Sequence, residues 1–339
     1  MNNSKSKQWV VCHANVFAAP ELYQPVEVCV REIGGELRYG NCASPIETAS
    51  FAQSADIFLT NAIDWPPDLP GSLKRLKLIV TYGSGYDKIP VSAATEAGIV
   101  VAYTPLYGVE EVADQALGLL LMCGRRLSQL ERQVRLGAWG GRISFAQPLR
   151  RLSSATLGIM GLGHIGTAMC ARAQALGMNV IAWDPWLTPE QARERGAPLV
   201  EVESLLSESD FISLHLRLSE KTHHLLGREE FRLMKPSAYL INTARGGLVN
   251  ETALLEALQQ GQIAGAALDT IDPEPPKPDN PLLHMPEVIV TGHYASVSVE
   301  ANRDRHYQVA ETIKRFSEGY WPLFVANPSV VPKIPLIHP

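Results

Sequence analysis

The sequence predicts an α/β protein built from two Rossmann-like doubly wound parallel-sheet domains separated by a cleft. Three observations lead there. Short apolar, β-branched runs alternate with helical stretches along almost the whole chain, which is the pattern of parallel strands joined by crossover helices. At 339 residues the chain exceeds what one core absorbs, since a single core stops growing at roughly 250–300 residues. One passage, TLGIMGLGHIGTAMCARAQALGMNVIAWDPW, sets strand, glycine-rich turn, helix and second strand in the order that dinucleotide binding requires.

In chain order, the runs that read as buried parallel strands are WVVCHA, ADIFLTNA, LKLIVTYG, GIVVAYT, TLGIMGLG, NVIAWDP, DFISLHL, AYLINTA, GAALDTI and VIVTGHY. Between the fourth and fifth, VEEVADQALGLLLMCGRRLSQLERQVRLG reads as one long helix, with acids at its start and arginines following, as a helix dipole favours. Composition shifts place two joints. One lies at Tyr103 to Gly108 (YTPLYG), the other after Thr291 to Ser296 (TGHYAS), before the helical run EANRDRHYQVAETIKRFSEGYW. The chain is thereby divided into a first domain, residues 1–107 plus 296–339, and a second, residues 108–295, which holds the dinucleotide passage. If the chain leaves the first domain, builds the second and returns, the two crossings make a double hinge that allows closure over a ligand.

Composition narrows the ligand. An apolar fraction of 46% with 19% charged residues is that of a globular protein, and a net charge of -5 without long like-charge runs leaves no footprint for nucleic acid or an anionic membrane. A small molecule is the expected partner. The opening residues MNNSKSKQWVVCHANV have no apolar core of signal-peptide length, and the longest apolar stretch, ALGLLLMC, is far below a membrane span, so the cytoplasm is the expected location. Five cysteines without CxxC spacing point to neither disulfides nor zinc, and nine histidines without a HExxH pattern give no reason to expect a metal.

The dinucleotide passage is the strongest single signal. Gly161, Gly163 and Gly166 spell GxGxxG, and Asp184 closes the next strand. The first glycine permits the tight turn, the second lets a pyrophosphate approach the backbone at the helix N-terminus, and the third lets helix and strand pack closely. Asp184 would accept the adenosine ribose hydroxyls and repel a 2'-phosphate. The adjoining DPWL supplies no arginine to attract one, so NAD is favoured over NADP.

GLGHIG, INTARGGLVNETALLEAL, GAALDTIDPEP and VIVTGH, in that order and spacing, resemble the D-isomer-specific 2-hydroxyacid dehydrogenases. LKLIVTYGSGYDKI is similar to that family's substrate loop and GVEEVADQALGLLL to its inter-domain helix, so the resemblance covers nearly the whole chain. It implies a catalytic triad of Arg245, Glu274 and His293. The chemistry suits these types: a guanidinium grips a carboxylate with two bonds and polarises the neighbouring carbonyl, and an imidazole, with a reference pKa of about 6.5, can both give and take a proton. A carboxylate beside that imidazole would orient it and stabilise its cation. Singly, each residue has an ordinary reading as surface group, solvated acid or packed histidine; it is their joint placement at strand ends that points to a site.

The resemblance further implies that Asp269 contacts the nicotinamide carboxamide, that Thr243 and Ala244 line the cofactor, and that His164 and Ile165 lie at the pyrophosphate. Backbone N–H groups of Ser84 and Gly85 would receive the substrate carboxylate. Pro273 and Pro275 would stiffen the mount of Glu274, leaving Asp272 and Asp279 to solvent. Asp114, Tyr82 and Tyr86 read equally well as helix surface or core. Three departures stand out. Gly292 replaces the family's usual Pro before the histidine and is expected to loosen it, Lys88 stands where Asn is common, and Arg217 replaces a frequent Pro.

The leading expectation is thus an NAD-dependent oxidoreductase of a small D-2-hydroxy acid or its 2-oxo acid. An alternative is an NAD(H)-sensing interaction protein with little turnover, because GVEEVADQALGLLL, DPWL and NTARGGLVNE resemble the C-terminal binding protein corepressors of the same family. Oxidation of NADH by an oxo acid separates the two. RLGAWGGRISFAQPL resembles the family's dimerisation arm, with Trp139 and Phe145 as apolar anchors, so a symmetric homodimer is expected.

Overall fold

The computed structural model describes residues 8–14, 20–60, 63–66, 68–142 and 149–338. Phe145 lies outside them. The chain forms two compact units, residues 1–108 with 298–339, and residues 109–297.

Unit 1 holds a five-stranded parallel sheet: β1 (Val10–Ala14), β2 (Glu36–Gly40), β3 (Ile57–Thr60), β4 (Leu78–Thr81) and β5 (Val100–Ala102), in the order β2-β1-β3-β4-β5. β1, β3, β4 and β5 are buried throughout, as expected of strands covered on both faces. β2, ELRYG, carries no such run because it is an edge strand with polar and half-exposed residues, and it is the one strand that the apolar pattern leaves out. One face of the sheet packs Val11, Ile57, Leu59, Leu78 and Val80 against Val309, Ile313 and Phe316 of the helix Val299–Ser317. The returning segment adds an antiparallel bridge from Val325 to Ala102, and Asn327 bonds to the backbone of Val101 and Ile99.

Unit 2 holds six parallel strands: β6 (Thr156–Met160), β7 (Asn179–Trp183), β8 (Phe211–Leu214), β9 (Tyr239–Asn242), β10 (Gly265–Leu268) and β11 (Val288–Val290), in the order β11-β10-β9-β8-β6-β7. Beyond β7 a single parallel bridge, Ala182 to Leu199, extends the sheet by a rudimentary strand. Counting it, the order becomes that of a dinucleotide-binding sheet with one added edge strand, and the order reverses between β6 and β8. The expected long helix is two, Val109–Arg125 and Leu127–Arg135, broken at Arg126, whose φ of 51° is left-handed. The first buries Ala116, Leu119, Leu120 and Cys123 in the core of unit 2, whereas the second buries nothing. Among the described residues no helix is long and apolar enough to cross a membrane, and no group of three or more His, Cys, Asp or Glu could hold a metal.

Candidate active site

Because all strands of unit 2 run the same way, the segments after β6, β7, β9, β10 and β11 emerge at one edge of the sheet, and every candidate residue of this unit lies on them. In open α/β sheets that carboxyl edge, at the point of strand-order reversal, is where ligands bind.

The glycine-rich turn follows β6. Gly161 has φ +94°, and a Cβ there would lie 2.8 Å from the His215 carbonyl oxygen; a Cβ on Gly166 would lie 2.1 Å from the Gly161 oxygen. Neither position admits a side chain. A Cβ on Gly163 meets nothing within 4 Å, so open space lies before the N-terminus of the helix His164–Ala175, whose cap supplies no side-chain acceptor. His164 is exposed and Ile165 half-buried at that end. Asp184, after β7, accepts from the Leu162 N–H at 2.9 Å and from the Trp186 N–H at 2.9 Å. Arg195 donates to the Leu162 carbonyl at 2.7 Å, so both backbone polar groups of Leu162 are held by side chains. Arg195 lies outside DPWL, and its arrival at the glycine loop is a feature that sequence reasoning missed.

After β9, the buried Asn242 organises the next turn by donating to the Arg245 carbonyl at 2.8 Å and accepting from the Ala244 N–H at 3.0 Å. The Arg245 guanidinium donates to the Ala244 carbonyl at 2.7 Å. A Cβ on Gly246 would lie 2.2 Å from the carbonyl carbon of Ile271, so this glycine lets the Arg245 turn press against the segment that carries Glu274. Thr243 is buried, and its hydroxyl has no protein partner. An orphaned hydroxyl, an open approach to a helix N-terminus and an acid beyond the second strand together fit a dinucleotide.

After β10, Ile271 donates its N–H to Glu274 Oε1 at 3.3 Å, and Glu274 Oε2 lies 2.7 Å from His293 Nδ1. Burial alone would raise the Glu274 carboxyl. The bond to His293, the charge of His293, the Ile271 N–H and the Arg245 guanidinium outweigh it and hold the group below its ordinary range. The peptides preceding Pro273 and Pro275 are both cis, and Asp272 and Asp279 are exposed. His293 follows β11 in an unusual backbone state: Gly292 has φ +71° and His293 φ +59°.

Asp269 explains how that state is held. It is 1% exposed. Its Oδ1 accepts from the Thr291 hydroxyl at 2.5 Å and the Tyr294 N–H at 3.0 Å, its Oδ2 from the Ala295 N–H at 2.9 Å, and its carbonyl from the His293 N–H at 2.5 Å. The histidine backbone is therefore clasped on both sides, at its own N–H and at the two residues that follow it. The framing role of Asp269 was not legible in DTIDPEP.

In unit 1, Thr81 turns inward the carbonyls of the glycine loop after β4, donating to Gly85 at 3.0 Å, while Thr104 N–H takes the Gly83 carbonyl at 3.0 Å. Ser84 is exposed on that loop and Gly85 half-buried beside it. Lys88 pairs with Asp64 at 3.2 Å. Asp114 pairs with Arg172 at 2.7 Å, Tyr82 is buried against His13, and Tyr86 packs on Tyr103; these three are surface and core groups.

Residues 117–295 match the family described as D-isomer specific 2-hydroxyacid dehydrogenase, NAD binding domain. The chain is 39% identical over 277 residues, 80% of its own length and 82% of the relative's, to a glyoxylate reductase of Korarchaeum cryptofilum. It is 42% identical over 269 residues to a D-3-phosphoglycerate dehydrogenase of Methanocaldococcus jannaschii, covering 79% of this chain but 50% of that one. Among solved structures, D-lactate dehydrogenase of Aquifex aeolicus with NAD and lactic acid superposes with a TM-score of 0.81 at 28% identity, covering 91% of this chain and 96% of that one. An NADPH-dependent glyoxylate/hydroxypyruvate reductase of Sinorhizobium meliloti with NADP and malonate superposes with a TM-score of 0.82 at 27% identity, covering 97% and 100%.

Proposed function

This chain belongs to the D-isomer-specific 2-hydroxyacid dehydrogenase family, and on that premise we propose a division of labour among its residues. It is an NAD(P)-dependent oxidoreductase acting on the CH–OH carbon of small 2-hydroxy acids, or on the matching 2-oxo acids. The bound nicotinamide supplies the hydride for reduction and accepts it in oxidation.

The chain's own groups manage the proton and the charges. Arg245 holds the substrate carboxylate and polarises the 2-oxo group. The observation that carries the assignment is the 2.7 Å contact of His293 Nδ1 with Glu274 Oε2. A carboxylate there fixes the proton on Nδ1 and leaves Nε2 to give a proton to the carbonyl oxygen in reduction, or to take one from the hydroxyl in oxidation. Glu274, held below its ordinary range, is charged at neutral pH and stabilises the imidazolium. The N–H groups of Ser84 and Gly85 receive the substrate carboxylate, as that loop's similarity to the family's substrate loop implies.

NAD(H) is the preferred cofactor. The turn of Gly161, Gly163 and Gly166, with His164 and Ile165, would hold the pyrophosphate; Thr243 and Ala244 would line the cofactor; Asp184 would take the ribose hydroxyls. Asp269 Oδ2 accepts one bond from the protein and keeps acceptor capacity for the carboxamide. Leu127, Val134, Leu136 and Trp139 expose apolar surface on and just after the second helix of unit 2, which supports a homodimer formed through that arm.

The test is a panel of glyoxylate, hydroxypyruvate, pyruvate and larger 2-oxo acids with NADH and NADPH. Steady NADH oxidation is expected, and His293→Ala should lower turnover by about two to four orders of magnitude while NADH still binds. A near-wild-type rate in that variant would sink the role of His293. NADH-stabilised self-association without turnover of any oxo acid would favour a sensing protein instead.

A further inference from the structure

We propose that Gln115, on the helix Val109–Arg125, is a positioning residue for His293 and acts through Thr291 and Asp269. The inference rests on the reading of His293 as the proton-transferring group. Gln115 Nε2 lies 3.2 Å from Thr291 Oγ1, and Thr291 Oγ1 lies 2.5 Å from Asp269 Oδ1.

The direction of these bonds is determined by valence. Asp269 as a carboxylate can only accept, so the single hydroxyl proton of Thr291 is committed to it. The Thr291 oxygen must then accept from Gln115, which places the amide nitrogen, not the amide oxygen, against it. A carboxyl group in that position would offer no proton to Thr291 once ionised.

Asp269 is a buried carboxylate with no cationic partner among the described residues, so its charge is held by the Thr291 hydroxyl and the N–H groups of Tyr294 and Ala295. Such a group depends heavily on each donor. The same residue brackets Gly292 and His293, two consecutive left-handed positions of which the second carries a side chain. A non-glycine residue persists there only where its surroundings over-determine it. Gln115 is the outermost member of that bracket. Its removal frees Thr291 to rotate, relaxes the grip of Asp269, and lets the imidazole drift from Glu274, the contact that favours its cation. Glu274 and Asp269 are the carboxylates, and Arg245 the cation, on the segments around the ring.

The measurement compares the wild type with Gln115→Leu, which keeps bulk and removes the donor, and Gln115→His, whose ring N–H can donate at similar reach. Q115L should lower kcat about tenfold, the factor expected for one hydrogen bond in a charged network, with KM for NADH within about twofold. It should also move the pH midpoint of kcat/KM downward, and Q115H should restore both. A loss of thermal stability in Q115L with unchanged kcat and pH profile would overturn the proposal, as would equal loss in both variants. Titration of the His293 ring by NMR, with no substrate present, reads the same displacement. A wild type that turns over no oxo acid would therefore refute the reductase reading alone, and an unmoved ring titration in Q115L would refute the role of Gln115.

Discussion

Oε2 of Glu274 lies 2.7 Å from Nδ1 of His293, yet the two residues come from segments after different strands and the histidine's backbone is left-handed. The contact thus depends on two loops being held independently. Glu274→Gln keeps an acceptor but removes the charge that stabilises the imidazolium. It should lower kcat/KM for reduction by about ten- to a hundredfold. The wild-type carboxyl sits below its ordinary range, so its support is complete at neutral pH and fades as pH falls through the folded value, whereas the Gln variant lacks it at every pH. A pH–rate series on both proteins checks this.

Gly292 stands where relatives by resemblance carry proline, and its φ of +71° is closed to proline, which is locked near -65°. Gly292→Pro should therefore not improve the enzyme. It should reduce kcat at least tenfold by displacing His293, with NADH binding, measured by fluorescence titration, little changed. A faster variant would show that the left-handed pair is dispensable.

Asp184 bonds to the Leu162 and Trp186 N–H groups and is the proposed partner of the ribose hydroxyls. Asp184→Ala should raise KM for NADH about tenfold or more and narrow the preference against NADPH, since the repulsion of a 2'-phosphate goes with the carboxylate. Arg195, donating to the Leu162 carbonyl, stays close by to favour the phosphate. Unchanged ratios of kcat/KM for the two cofactors would refute the ribose role.

Acid should destabilise unit 1 through His13. Burial first, and then the charge of His306, lower its pKa from 6.5 to about 4. Folding therefore disfavours the protonated ring: stability is full above about pH 6.5 and declines as pH falls toward 4, where the unfolded chain takes the proton and the folded chain resists it. The loss amounts to about 3 kcal/mol by linkage. His306 is lowered chiefly by burial as well and acts in the same direction. His13→Phe, which keeps a ring against Tyr82, should flatten the pH dependence of the urea midpoint between pH 7 and 4.5.

Trp139 is 76% exposed next to a helix that buries nothing. Trp139→Asp should convert a dimer to monomers by light scattering. A dimer that persists at the same concentration would relocate the interface.

Ten of the eleven strands among the described residues are legible as apolar runs because both faces of each sheet are covered. β2 is not, since its residues, ELRYG, are mostly polar and all exposed or half-exposed, so no continuous apolar run is needed. The break at Arg126 is invisible because the left-handed position is an arginine, and Gly124, two residues earlier, still lies inside the helix. GxGxxG and the acid are legible because stereochemistry admits only those residue types. The network from Gln115 to Asp269 is not, because its members lie 22 to 176 positions apart and each has an unremarkable identity in the sequence.

Unit 1 begins with the first strand and is completed only by Ser298–Pro339, whereas unit 2 is one uninterrupted segment. During synthesis the ribosome therefore releases everything that unit 2 needs before unit 1 can close. Val309, Ile313 and Phe316 arrive last to cover Val11, Ile57 and Leu78. Five nascent strands must wait with an apolar face uncovered, so the early part of the chain is the natural client of a holding chaperone. A fragment ending at Gly108 should accumulate in the insoluble fraction, while 109–297 expressed alone should remain in the supernatant.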